Sequence, residues 1–245
     1  DASTQKISIN KKNLKKISKI KVITSNINLG SQKIISVGLH YLKKIKNETV
    51  IVMDSDGEDD FNEIIRLINK SNKYKNFVVA ATRAKRRESL IFKLLYKLHL
   101  SLAFVFTLNW ISFGNFTCFN SKNIKNILKN NYSWLAFSSC ILKNCKVIRL
   151  SSERKKRFFG KSKLSFLGLF YHSFRVLSVF QLKIFVMSLI YILFLFIFTY
   201  KSIFLFILII FIILLNFLIF YTKKQNKKNF HSDKTKYIDS VKIIK

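Results

Sequence analysis

Acidic residues in this chain are concentrated in one short stretch, 54–60. It holds five of the 12 acids and directly follows an apolar run, although the formal net charge of the chain is +32 at pH 7. Clustered like charges cost free energy unless positive charge lies among them. Asp54 and Asp56 at a strand end are oxygen ligands suited to Mg²⁺ or Mn²⁺, which commonly bridge to substrate phosphates. The stretch therefore predicts a divalent-metal site for a sugar nucleotide, in which the metal would neutralise a departing diphosphate.

Three other interpretations compete with this one. An EF-hand loop counted from Asp54 would need glycine and glutamate at positions that hold Asp59 and Ile65, so that match fails. The run "DSDGE" resembles the nucleophile motif of haloacid dehalogenase phosphatases, but the acids that such enzymes need downstream are reduced to isolated Glu88 and Glu153. A solvated acidic turn is the plain alternative. The position of the acids at the end of a strand, in a chain that is otherwise basic, disfavours it.

Strands and helices alternate in the first two thirds of the chain. Strand-like runs occupy 20–25, 49–54 and 76–83, and helical patterns occupy 31–46 and 61–72. Such alternation predicts an α/β architecture with a largely parallel sheet. Ligands of these sheets gather at the carboxyl ends of strands, which is where the acidic stretch lies.

The last third of the chain is strongly apolar. The segments 184–200 and 203–221 contain 17 and 19 residues without a charge, close to the ~20 needed to cross a bilayer. They predict a transmembrane hairpin with both ends on the cytoplasmic side, because basic residues flank it. The segment 164–182 fits either an amphipathic helix at the membrane surface or a core helix. The basic tail 223–245 is expected to be mobile and attracted to anionic lipid.

The cysteine spacing and the composition argue against two functions, a metal or redox site built on cysteines and nucleic-acid binding. Cys118, Cys140 and Cys145 form no metal-binding or redox spacing, so we expect reduced, buried thiols. Lys, Asn and Ile are abundant and Pro is absent. Because this compositional bias can itself account for a basic chain, the net charge is weak evidence for nucleic-acid binding, and nucleic acid is not an expected partner.

Several segments resemble family 2 glycosyltransferases of the polyprenyl-phosphate type. "MDSDGEDDFNEI" (53–64) is similar to their "MDADLQDPPE" signature. Five further segments follow in the family's order: "DAST" (1–4), "NINLGSQKIISVGL" (26–39), "ATRAKRRES" (81–89), "SFGNFTCFN" (112–120) and "RFFGKSK" (157–163). The order and spacing of these motifs carry the resemblance, which spans residues 1 to about 222.

The resemblance implies a fold and a set of domains. It implies a GT-A (Rossmann-like), mostly parallel sheet domain over 1–163, lacking the family's first strand. A juxtamembrane amphipathic segment (164–182), a two-helix transmembrane hairpin (183–222) and a basic cytoplasmic tail (223–245) would follow. The protein would then be a multi-pass membrane enzyme with its catalytic domain in the cytoplasm.

The resemblance also implies roles for individual residues. The predicted metal ligands, for Mg²⁺ or Mn²⁺, are Asp54, Asp56 and Glu58. The residues expected to contact the nucleotide sugar are Asp1, Asp54 and Arg83. The residues expected to bind the acceptor phosphate are Arg86, Arg87, Arg157, Ser162 and Lys163. Guanidinium groups suit bidentate phosphate binding, although a solvated surface or a headgroup contact is the plain alternative for each basic residue.

Asn115 stands where many relatives have an aspartate proposed as a base. A phosphate acceptor has a second pKa of about 6 and is largely ionised at neutral pH, so it can attack without prior deprotonation. The task of the protein is then positioning and charge stabilisation. Asn115, the catalytic candidate, would hydrogen-bond the donor sugar or the acceptor phosphate.

The resulting expectation is a glycosyltransferase that moves a sugar from a UDP- or GDP-sugar to polyprenyl phosphate at the membrane. The sequence is compatible with a homo-oligomer. The alternatives are a non-catalytic basic membrane protein that binds anionic lipid or nucleic acid, whose binding would be steeply salt-dependent, and an inactive fragment of the family.

Overall fold

The computed structural model describes residues 16–45, 48–83, 90–153, 155–158, 165–198, 203–227 and 233–244. The strands are β1 (Lys21–Ser25), β2 (Thr49–Val52), β3 (Phe77–Arg83), β4 (Phe113–Asn120), β5 (Lys146–Ser152) and β6 (Ile238–Ile243). The helices are α1 (Ser31–Leu42), α2 (Glu63–Lys73), α3 (Leu90–Thr107), α4 (Asn123–Ile127), α5 (Phe137–Asn144), α6 (Phe166–Ser178), α7 (Gln181–Phe198) and α8 (Ile203–Lys227). The elements predicted in the first third of the chain are confirmed, with bounds shifted by a few residues.

The main sheet is mixed. Its strand order is β2-β4-β3-β5, and β4 runs antiparallel to both neighbours while β3 and β5 are parallel. The predicted α/β class is confirmed, but the mostly parallel sheet is not. The reason is that β4 lies between β2 and β3 and runs in the opposite direction. This pairing joins segments that are distant in the chain, and local periodicity does not predict it.

Helices cover both faces of this sheet. Successive side chains of a strand point to opposite faces, so Val78 and Ala80 of β3 pack with α1, α4 and α5, while Val79 packs with Leu67 of α2. The sheet is therefore buried on both faces, and its ligand-accessible surface is left at the strand ends.

The described residues of the tail, 223–227 and 233–244, are ordered. The helix α8 continues through Lys227, and a 3-10 turn (Lys234–Tyr237) leads into β6, which pairs antiparallel with β1. Tyr237 is buried against the ring of Trp134, with ring centroids 5.2 Å apart. The expectation of a mobile tail over 223–245 is therefore wrong for these residues, because β6 supplies backbone partners to β1 and Tyr237 contributes an apolar anchor.

The apolar helices differ from the expected hairpin. Among the described residues, α8 is the one helix that is long and apolar enough to span a membrane by length and composition. A second candidate exists only if α6 and α7, which meet at an angle of 88°, form one broken span. The two-helix transmembrane hairpin and the multi-pass topology are therefore not confirmed, since α7 also packs against α3 and joins a buried cluster with α6.

Two of the three cysteines are buried, as expected. Cys118 and Cys140 are buried, Cys145 is partly buried, and all are free thiols. Burial raises the pKa of the Cys140 thiol far above its ordinary value, which makes it unreactive as a nucleophile.

Candidate functional site

A polar cavity of about 180 Å³ lies at the edge of the main sheet. Asp54 follows β2, Arg83 ends β3 and Asn115 lies near the start of β4, and all three line the cavity. Because β4 runs against its neighbours, its first residues reach the edge where β2 and β3 end. The mixed topology thus brings three predicted site residues together.

Asn115 connects two elements by hydrogen bonds. Its Nδ2 donates to Asp54 Oδ1 at 3.1 Å, and its Oδ1 accepts from Gln32 Nε2 at 3.1 Å. Gln32 Oε1 in turn accepts from the backbone N–H of Phe137 at 2.7 Å. Because the backbone N–H can only donate, the orientation of both amides is fixed, and Asn115 presents its N–H to Asp54.

The acidic stretch forms a tight loop after β2. The Asp59 carboxylate accepts from the Asp54 backbone N–H at 3.1 Å, and Asp56 Oδ1 accepts from the Glu58 N–H at 3.0 Å. Gly57 has a φ of +82°, a backbone conformation that favours glycine. The loop is therefore ordered by its own carboxylates.

Positive charge from the segment 155–158 lies among these acids. Arg157 Nη2 is 3.0 Å from Asp56 Oδ2, and Arg157 Nε is 3.3 Å from Glu58 Oε1. Lys155 Nζ is 2.9 Å from Asp60 Oδ1. These two side chains, which are distant from the acidic stretch in the sequence, lie close to it in the fold and offset part of its negative charge.

The same segment is joined to the loop through its backbone. The N–H groups of Lys155 and Phe158 donate to the carbonyls of Glu58 and Asp56, both at 2.9 Å. A Cβ atom added at Gly57 would overlap the Phe158 ring. The absence of a side chain at Gly57 therefore allows both the positive φ of the turn and the close approach of the segment 155–158.

Two titratable groups near the cavity have shifted pKa values. The hydrogen bond from the Asn62 N–H, together with Lys155, lowers the pKa of the Asp60 carboxyl below its ordinary value. Burial, with smaller contributions from Arg175 and His99, lowers the pKa of His172 to about 4. His172 lines the cavity from α6, so it presents a neutral imidazole there at neutral pH.

The three carboxylates expected to hold Mg²⁺ or Mn²⁺ contact protein groups in this conformation: Asp54 accepts from Asn115, and Asp56 and Glu58 pair with Arg157. Carboxylate oxygens are suitable ligands for these ions, but the described residues contain no group of three or more His, Cys, Asp or Glu placed to hold a metal. Asp56 and Glu58 instead contact the Arg157 guanidinium. The metal assignment of Asp54, Asp56 and Glu58 therefore stays a prediction, and we derive no chemical step from it.

The other predicted residues divide into two sets. Arg157 pairs with the acidic loop and is not among the described residues that line the cavity, so its predicted contact with an acceptor phosphate would need a different position of the side chain. Five predicted residues lie outside the described residues: Asp1, Arg86, Arg87, Ser162 and Lys163.

The sequence analysis missed several residues that line the cavity. They are Gln32, Asp59, Thr82, Ser138, Glu153 and His172. For His172 a signal was present, because it interrupts the apolar run 164–182. Gln32 gave no signal of this kind, since its role depends on Asn115, 83 residues away in the chain.

No protein-family model matches the chain, and no curated protein is significantly similar to it.

Proposed function

We propose that the chain is a membrane-anchored glycosyltransferase that moves a sugar from a nucleotide sugar to a polyprenyl phosphate. The observation that supports this most is the convergence of Asp54, Arg83 and Asn115 on one polar cavity at the strand ends of an α/β sheet. Ligands of such sheets bind at this edge. The ordered resemblance of the sequence segments to family 2 glycosyltransferases supports the same reaction.

The proposed reaction is a displacement at the anomeric carbon. An oxygen of the acceptor phosphate forms the new bond to this carbon, and the bond to the nucleoside diphosphate breaks, with the electron pair leaving on the diphosphate. Arg83 would contact the diphosphate through charge-assisted hydrogen bonds. Asp54, held by Asn115, would accept a hydrogen bond from a sugar hydroxyl.

The size of the cavity limits what it would hold. Its volume of about 180 Å³ is below the range of roughly 300–1,000 Å³ that is typical of small-molecule sites. We therefore assign to it the sugar and the adjoining phosphate, with the nucleoside outside it. Mg²⁺ or Mn²⁺ as an assisting ion remains part of the prediction.

The apolar helices suit a lipid acceptor. A polyprenyl chain stays in the bilayer, and α8 is able to anchor the protein there. The helix α6 contributes His172 to the cavity and packs against α8, so the site lies next to the anchor. Basic residues flank the apolar helices, which favours the cytoplasmic side for their ends.

Transfer of a labelled sugar tests the proposal. The protein is purified in detergent and incubated with undecaprenyl phosphate and a panel of labelled UDP- and GDP-sugars. We expect one donor to give a labelled lipid product. The double variant Asp54→Ala, Asp56→Ala should lower this transfer by about a hundredfold or more, while Glu63→Ala on α2 leaves it within about twofold.

The rival function, a basic protein that binds anionic lipid, makes the opposite prediction. Binding of that kind depends on Lys and Arg and falls steeply with salt. No product from any donor, together with salt-sensitive lipid binding that is unchanged in the double variant, would favour the rival.

A further inference from the structure

The helix α3 exposes an apolar stripe along its length. The six residues of the stripe are each at least 45% exposed: Leu90, Ile91, Leu94, Leu98, Phe104 and Val105. They recur at intervals that place them on one side of a helix. The exposed face of a helix in water is normally polar, so this face needs another explanation.

The opposite face of α3 is fixed to the apolar helices. Ala103 and Phe106 belong to a buried cluster that includes Ile184 of α7 and Ile219 of α8. The hydroxyl of Tyr191 on α7 donates to a backbone carbonyl of α3 at 2.6 Å, and its ring meets Phe106 edge-on with centroids 5.5 Å apart. The helix α3 is therefore held beside α7 at a defined position.

Further exposed apolar surface lies on α7 and α8, which share the buried cluster with α3. Exposed apolar residues on α7 and α8 include Leu189, Leu193, Ile210 and Phe217, and α7 packs against both α3 and α8. Lys97 is exposed on the same side of α3, and Trp110 is half-exposed just beyond its end. A lysine whose aliphatic stem lies along apolar surface while its ammonium group reaches water, and a tryptophan at the end of such a surface, are typical of the boundary between water and hydrocarbon.

We propose that α3 lies in the membrane interface, with its apolar stripe inserted at the boundary between headgroups and acyl chains. The helix is then a second membrane contact of the sheet domain, in addition to the anchor α8. The bilayer is the occupant that the observations favour, because α3 packs against α7 and α7 packs against α8, a helix long and apolar enough to cross a bilayer. An interfacial helix inserts an apolar face at the boundary between headgroups and acyl chains, and α3 has such a face on the side turned away from the protein.

Quenching of tryptophan by brominated lipids tests the position of α3. The full chain is placed in nanodiscs with one chain per disc, in a Trp110→Phe background, so that buried Trp134 gives a common baseline. Leu94→Trp is compared with Ile65→Trp on α2. The two positions are matched, since Leu94 is 68% exposed and Ile65 is 67% exposed. Acyl-chain bromination should quench the added fluorescence of Leu94→Trp at least about twofold more strongly than that of Ile65→Trp.

Equal quenching at the two positions would overturn the proposal. A stripe that is unquenched in single-chain discs but becomes protected when two chains share a disc would also overturn it, in favour of contact with a second copy. The measurement needs no sugar donor, so the proposed enzymatic function and the proposed membrane contact can fail independently.

Discussion

The side-chain amide of Asn115 fixes the hydrogen bonds between Gln32 and Asp54 in the cavity. Its carbonyl oxygen is occupied by Gln32 and its N–H is directed at Asp54, both at 3.1 Å. A carboxylate at this position could accept from Gln32 but would have nothing to donate to Asp54. The asparagine that departs from the pattern of the resembled family is therefore matched to its surroundings in this chain.

We expect Asn115→Asp to destabilise the protein by about 2 kcal/mol at neutral pH, because a hydrogen bond to a charged group is replaced by carboxylate repulsion. The introduced carboxyl group has a raised pKa in the folded state, so folding takes up a proton. The loss of stability should therefore shrink as pH falls from about 7.5 to about 5.

Thermal unfolding in detergent across this pH range measures the effect. Asn126→Asp, at an exposed position on α4, is the control for the change in charge. A penalty for Asn115→Asp that is absent, or that grows as the pH falls, would contradict the hydrogen-bond assignment.

At the scale of elements, the acidic loop and the segment 155–158 form one unit. Two ion pairs from Arg157, one from Lys155 and two backbone hydrogen bonds connect them. The sequence showed the acidic loop and its place at a strand end. It did not show the partner of the loop, because Arg157 and Glu58 are 99 residues apart in the chain and no periodicity links them.

Arg157→Gln should loosen this unit. The Arg157, Asp56 and Glu58 side chains are each less than a third exposed, so removal of the cation leaves partly buried acids in contact. We expect hydrogen exchange at the Lys155 and Phe158 amides to accelerate by about tenfold or more, measured by mass spectrometry on peptides that cover 155–158.

Lys156→Gln is the matched control. It removes the same charge from the neighbouring, exposed position, and exchange should stay within about twofold of the unaltered protein. Equal acceleration in both variants would show that net charge, and not the Arg157 ion pairs, holds the segment.

At the scale of the whole molecule, the features that depend on local sequence pattern could be predicted, and the features that depend on contacts between distant segments could not. The alternation of strands and helices predicted the α/β class, and the position of Asp54 after an apolar run predicted the edge at which the cavity lies. The reversed strand β4, the pairing of β6 with β1 and the bend between α6 and α7 depend on contacts between distant segments. Neither periodicity nor hydropathy contains that information, so these features emerged only from the fold.

The central claim is that the cavity at the strand ends binds the sugar and the adjoining phosphate of a nucleotide sugar. Equilibrium binding of radiolabelled UDP-glucose and GDP-mannose to the detergent-purified chain tests it most directly, with Arg83→Gln compared against Arg66→Gln on the surface of α2. We predict that Arg83→Gln weakens binding by about tenfold or more and that Arg66→Gln changes it by less than about twofold. Equal binding by the two variants, or no binding of either nucleotide sugar by the unaltered protein, would contradict the claim.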